Sequence, residues 1–172
     1  MKIVLWVFVV LAGLLILITL IGWLLPKNHV ATRIGRYRQP PEAIWKAITD
    51  VDAMPSWREG LKSVERLPDR NGLPAHAEIT RNGKIPFETI EMTRPQKLVT
   101  RIADPKLPFG GTWTFEIVPV PDGATLRITE RGYVTNPFFR FMSRFAFSET
   151  STMETYLKSL AKKFGEELRI GE

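Results

Sequence analysis

The sequence predicts an α+β fold: a curved antiparallel sheet wrapped around a long C-terminal helix and preceded by one N-terminal transmembrane helix. Three observations predict it. Ile3–Leu25 is an uncharged apolar run. Between residues 61 and 134, short alternating segments are separated by turn sequences such as Asn82-Gly83 and Pro121-Asp122-Gly123, the pattern of an antiparallel meander. The chain closes on an amphipathic helical stripe, the only element long and apolar enough to cover one face of such a sheet.

The apolar run IVLWVFVVLAGLLILITLIGWLL is longer than the ~20 residues needed to cross a hydrocarbon core. Gly13, Thr19 and Gly22 are tolerated in membrane helices, and Trp6 and Trp23 lie near its ends, as an aromatic belt would place them. Pro26 and Lys27 end it. A cleaved signal peptide is the rival reading, but it wants an apolar region of about 7–15 residues followed by a small-x-small site, and no Ala-x-Ala follows here. The division expected is an anchor over 1–27 and one domain over 28–172. Lys27, Arg33, Arg36 and Arg38 follow the helix and only Lys2 precedes it, so the positive-inside rule favours a single-pass protein of the cell membrane with its domain on the cytoplasmic side.

Within the domain, His29–Gln39 alternates as a strand. Pro40-Pro41-Glu42 opens a short helix whose apolar positions are Ile44, Ala47 and Ile48, closed by Asp50 and Asp52. Met54–Trp57 begins a second short helix or turn. Leu61–Leu67 reads as a strand with Leu61, Ser63, Glu65 and Leu67 on one face. Ala75–Arg81 and Lys84–Thr93 form a hairpin about Asn82-Gly83, and Lys97–Ala103 follows the Arg94-Pro95 turn. Thr112–Val120, entered through Gly110-Gly111, pairs with Ala124–Val134, with Leu126 and Ile128 inward. Asn136-Pro137 supplies a cap and a first-turn proline for a helix crowded with Phe138, Phe139, Phe141, Met142 and Phe145. Ser151-x-x-Glu154 is a capping box, so the helix bends or restarts near Ser148–Ser151. From there Met153, Tyr156, Leu157, Leu160, Phe164 and Leu168 make the apolar stripe.

The 172 residues carry a net charge of +6 and no cysteine, which excludes disulfides, cysteine-ligated metals and thiol catalysis. Basic and acidic residues are interleaved. A nucleic-acid footprint wants a clustered basic face, so no nucleic-acid partner is expected; beside a hydrophobic anchor, mild basicity suits either an anionic lipid surface or an ordinary solvated one.

Pro41-x-x-x-Trp45-x-x-x-Thr49-Asp50 with Pro55-x-Trp57, then Gly111-Thr112-Trp113-Thr114-Phe115-Glu116 and Leu126-x-Ile128-x-Glu130-x-Gly132, resemble the opening helix and last two strands of the START-like superfamily, also called the polyketide cyclase/dehydrase and lipid-transport or SRPBCC superfamily. The resemblance spans roughly residues 29–168 and implies a helix-grip fold with a cavity between sheet and helix. It further implies a hydrophobic or lipid-like ligand, since members bind lipids, sterols, polyketides and hormones; some catalyse cyclisation or dehydration and others chaperone partner proteins. The matching residues are mostly packing residues, and fold does not choose among these activities.

For binding, Phe87, Trp113, Phe115, Phe138, Phe141, Met142 and Phe145 supply apolar area suited to a pocket with few polar anchors, or simply to a filled core. For catalysis, an acid and a base must face the cavity, and the candidates are His76, Glu78, Glu88, Glu91, Glu130 and Tyr133. Alternation sets His76 and Glu78 opposite Ala77 and Ile79. It points Glu130 inward and Tyr133 outward, making Glu130 the best single candidate for a buried acid unless it pairs with Arg127, Arg131 or another arginine. His29 and His76 lack ligand spacing, so no metal is expected, and no phosphate loop, nucleophile elbow or dinucleotide fingerprint calls for a cofactor. Phe138–Phe147 (FFRFMSRFAF) has a second reading as a membrane-surface segment or gate.

Overall fold

The computed structural model of the chain describes residues 2–145 and 150–171. Helix α1 (Lys2–Leu24) is one apolar rod of 23 residues. Strand β1 (Asn28–Tyr37) leads into α2 (Pro41–Thr49), which starts on its proline and buries Ile44, Trp45, Ala47 and Ile48. A 3₁₀ helix (Val51–Ser56) follows, and then a six-strand meander: β2 (Leu61–Arg70), β3 (Leu73–Thr80), β4 (Gly83–Thr93), β5 (Lys97–Ile102), β6 (Phe109–Val120) and β7 (Gly123–Val134). Helices α3 (Pro137–Phe145) and α4 (Ser151–Lys163) close the chain with a three-residue strand, β8 (Arg169–Gly171).

The sheet runs β2-β3-β4-β5-β6-β7-β1-β8, every pair antiparallel. Tight turns dictate the meander order. The first strand returns beside β7, pairing Ala31 with Glu130, Arg33 with Ile128 and Tyr37 with Ala124. The core lies between this side of the sheet and the helices: Leu126, Ile128, Phe115 and Ile117 from the strands meet Ile44 and Ile48 of α2 and Met153, Leu157 and Leu160 of α4. Burying each such aliphatic side chain contributes roughly 1.5–3 kcal/mol. Tyr37 adds a hydrogen bond to the Leu157 carbonyl at 3.0 Å, tying β1 to α4.

Several expectations are corrected. Strand β2 does not alternate: Leu61 is buried and Val64 and Leu67 are partly covered, while Ser63 and Glu65 are exposed, because register irregularities at Leu61/Ser63 and Leu67/Arg70 break the period of two. The break expected in the C-terminal helical run is present, since α3 and α4 are separate helices. Residues 146–149 lie outside the described residues, so the restart expected near Ser148–Ser151 is fixed only at its far side, where α4 begins. The capping box is not made; Glu154 instead accepts from Arg33 Nε at 3.0 Å and from Thr150 at 2.9 Å, which pins the start of α4 to β1. Helix α4 also ends at Lys163, where Gly165 takes a φ of +70° that stops the helix, so Phe164 and Leu168 reach the core from beyond it. The edge strand β8, paired with Ile34–Arg36, carries no signal in so short a segment.

Candidate functional site

Between the sheet and α4 lies a cavity of about 710 Å³. Strand register explains its walls. Phe115 pairs with Leu98, Trp113 with Thr100 and with Glu130, and Phe87 with Ile102 and with His76, so period-two alternation brings all of these to the concave face. Met54, Arg58 and Leu61 approach from the 3₁₀ helix and the start of β2, and Tyr156 from α4.

The lining mixes these apolar side chains with polar ones, among them Arg66, Asp69, Lys84, Thr89, Thr100 and Thr155, and at two places it holds a carboxylate beside a histidine. At the first, the buried Glu78 carboxylate forms an ion pair and hydrogen bond with Arg58, and His76 Nε2 lies 3.7 Å from the same oxygen. Burial pushes the Glu78 carboxyl up, but the interactions with His76 and Arg58 together outweigh it and hold the group below the ordinary carboxylate range. The His76 ring stacks on Phe87 at 5.7 Å, and the Arg58 guanidinium sits 4.9 Å over the Tyr156 ring. Tyr156 in turn meets Trp57 edge-on and Phe115 at a tilt. Its hydroxyl is buried with no hydrogen-bond partner among the described residues, and burial raises its pKa above the ordinary tyrosine value. At the second place, Glu130 stands 3.6 Å from His29 Nε2.

The structure therefore brings Phe87, Trp113, Phe115, His76, Glu78 and Glu130 to one cavity. The inward direction expected for Glu130 is the one observed, and His29 of β1 is one group it meets there. Glu88 alternates to the convex face, where Arg101 (2.8 Å) and Arg70 (3.3 Å) hold it below the usual carboxylate range, and Glu91 pairs at the surface with Lys97. Neither faces the cavity. Tyr133 is outward and 39% exposed. Phe138, Phe141, Met142 and Phe145 are not in the cavity wall, because α3 packs against α1 instead of entering the space under the sheet. Arg58 and Tyr156 were missed by residue-type reasoning. Arg58 follows the 3₁₀ helix with no pattern to aim it, and Tyr156 read only as one member of an apolar stripe. Among the described residues, no three histidine, cysteine or acidic side chains gather as a metal site.

Residues 38–169 match the family described as polyketide cyclase/dehydrase and lipid transport. No curated protein matches the chain. Solved structures do. A protein from Chromobacterium violaceum is 20% identical, covered over 83% of this chain and 100% of its own, with a TM-score of 0.56. A START superfamily protein from Mycobacterium smegmatis is 19% identical over 79% of this chain and 95% of its own, at 0.61. Norcoclaurine synthase from Thalictrum flavum is 12% identical over 81% and 88%, at 0.62. At such identities the likeness is one of fold alone. The family match covers most of the chain and agrees with the helix-grip architecture, so this chain belongs to the polyketide cyclase/dehydrase and lipid transport family.

Proposed function

We propose that the chain is a membrane-anchored binding protein for a hydrophobic or lipid-like small molecule, with α1 as a single-pass anchor and the domain from residue 28 onward on the cytoplasmic side. The observation that carries the binding reading is the cavity itself: about 710 Å³, with an aromatic and aliphatic wall of Phe87, Trp113, Phe115, Leu98 and Ile102. Such a wall suits the apolar body of a ligand, and the polar side chains elsewhere in the lining can fix its orientation. A filled core, the condition for a pure interaction module, would leave no such space. The anchoring reading rests on a helix of mean hydropathy 3.1 with no charged residue after Lys2, a composition that an anchor and a signal sequence share.

The test is to purify the full chain from membranes, extract it and identify any molecule bound in stoichiometric amount. Thr100→Trp serves as the control: Thr100 lies in the cavity wall between Trp113 and Thr89, and an indole there fills the space while leaving α1 unchanged. A molecule found with the native chain and lost from Thr100→Trp supports the reading. The same lipids on both, or none on either, overturn it.

A second reading is a cyclase- or dehydratase-type enzyme on a hydrophobic substrate. His76 beside Glu78 inside the cavity favours it, because such chemistry needs a proton acceptor held within reach of an apolar substrate. On that reading His76→Phe changes the mass of the extracted molecule from product to substrate; on the binding reading the molecule is the same.

A further inference from the structure

The end of α1 is built into the domain. Over most of its length α1 is exposed, but Ile18, Thr19 and Ile21 are partly covered and Gly22 is buried, and it is α3 that lies against this stretch. The approach is so close that a Cβ on Gly22 would stand 1.9 Å from the Pro137 carbonyl oxygen. One turn further along α3, Arg140 is buried, only 4% exposed. Its Nη1 donates to the carbonyls of Gly22 (3.1 Å) and Leu25 (3.0 Å), its Nη2 to Thr135 (2.9 Å) and its Nε to Val134 (3.1 Å). All four acceptors are main-chain carbonyls, drawn from the end of α1, the end of β7 and the lead into α3. The last carbonyls of a helix have no partner within it and form the negative end of its dipole, so a buried guanidinium there satisfies both the bonds and the charge. Asn136 caps α3 from the other side, accepting from the Phe139 amide at 3.2 Å.

Depth follows from length. At about 1.5 Å per residue α1 is about 34 Å long, against a hydrocarbon core of about 30 Å. If α1 spans the core, its last two turns stand at the boundary with the headgroups, and α3 stands beside them. The residues that α3 leaves uncovered are Phe139, 52% exposed, Phe145, 63% exposed, and the cationic Arg144, and Trp23 of α1 is 71% exposed. Large aromatic side chains are favoured at that depth.

We propose that α3 is an interfacial membrane helix: clamped to the end of α1 by Arg140, it sets Phe139 and Phe145 into the headgroup–acyl boundary and fixes the domain over the bilayer in place of a loose tether. This rests on α1 being a spanning helix, and the experiment separates the two. The chain has no cysteine, so single cysteines carry spin labels without interference. Leu11→Cys, Phe139→Cys, Phe145→Cys and Lys62→Cys are made in the full chain and reconstituted into phosphatidylcholine–phosphatidylglycerol vesicles. Relative accessibility to oxygen and to a water-soluble nickel chelate is then measured at each. Leu11 is expected to read deep in the lipid, Phe139 and Phe145 at the lipid side of the interface, and Lys62, exposed on β2, in water. Phe139 and Phe145 reading like Lys62 while Leu11 reads deep overturns the interfacial helix alone; Leu11 in water overturns the anchor as well. In Arg140→Gln the Phe139 label is expected to become more mobile and to lose its lipid-side reading. Gly22→Leu, which forces α1 away from Pro137 without altering the domain, is expected to do the same. Unchanged labels in both variants overturn the clamp.

Discussion

Arg58 and Glu78 make a sharper stability test than any of the aromatic residues, because the pair is buried and the sign of its pH dependence can be worked out. Their side chains are 16% and 8% exposed. Arg58→Met removes the cation and leaves the carboxylate in place. Breaking a buried pair from one side costs about 3–5 kcal/mol, because the remaining charge loses its partner. Residual exposure at Arg58 puts the expectation at the low end, about 3 kcal/mol at pH 7, a midpoint lowered by about 6–12 °C for a chain of this length. In the native protein the Glu78 carboxyl lies below its unfolded value, so its contribution is present above that value and is lost as pH falls through the folded one. In Arg58→Met, burial is opposed by His76 alone, and the carboxyl moves up. Its penalty is then full at neutral pH and is relieved on acidification. The difference between native protein and variant should therefore shrink as pH falls through the raised carboxyl value, with the titrating groups that do not touch Glu78 common to both and cancelling. The assay is thermal unfolding of the full chain in detergent, followed by near-ultraviolet circular dichroism from pH 7 downwards. Arg58→Met/Glu78→Met should recover most of the loss, since it removes both charges together. A difference below about 1 kcal/mol at pH 7, or one that stays constant with pH, would refute the assignment of Glu78 as a buried carboxylate held ionised by Arg58.

Tyr156→Phe deletes a buried hydroxyl with no partner among the described residues, so stability should be unchanged or improved by up to about 1 kcal/mol in chemical denaturation. A clear loss would show that the hydroxyl is hydrogen-bonded in solution. Gly111→Ala sets a methyl group 2.3 Å from the Arg131 carbonyl at a φ of +146°, and a cost of about 1–3 kcal/mol is expected from backbone strain alone; a neutral result in the same denaturation assay would mean that β6 and β7 separate there. Leu157→Ala opens a void under fully buried Leu126 and Ile128, and a loss of about 2–5 kcal/mol is expected, read as a fall in the thermal midpoint.

The strands were legible because their signals are local. Asn82-Gly83 marks a hairpin, Pro121-Asp122-Gly123 marks a turn, and Leu126, Ile128 and Glu130 share a face whatever the strand pairs with. Where a signal depended on a partner, it failed. Glu154 has the spacing of a capping box, but Arg33, 121 residues earlier in the chain, competes for its carboxylate at 3.0 Å and wins as the charged donor. Leu61, Ser63, Glu65 and Leu67 have the spacing of a strand face, but register breaks against β3 shift it.

The same distinction divides the candidate site. Phe87, Trp113, Phe115 and Glu130 sit on strands, and alternation alone directs them to the cavity. Phe138, Phe141, Met142 and Phe145 sit on a helix whose apolar face is as plain in the sequence as any, but a helix face states only that something covers it. Two surfaces competed for α3, the sheet and the end of α1. The deciding features lie outside the aromatic stripe: a glycine at position 22 that lets Pro137 approach, and an arginine at position 140 whose donors reach carbonyls of two elements besides its own. Small residues and buried cations of this kind read as incidental in a sequence, since neither belongs to an apolar period. They become decisive only when the backbone they serve is in view, and here they turn an apparent pocket lining into the joint between the domain and its apolar helix.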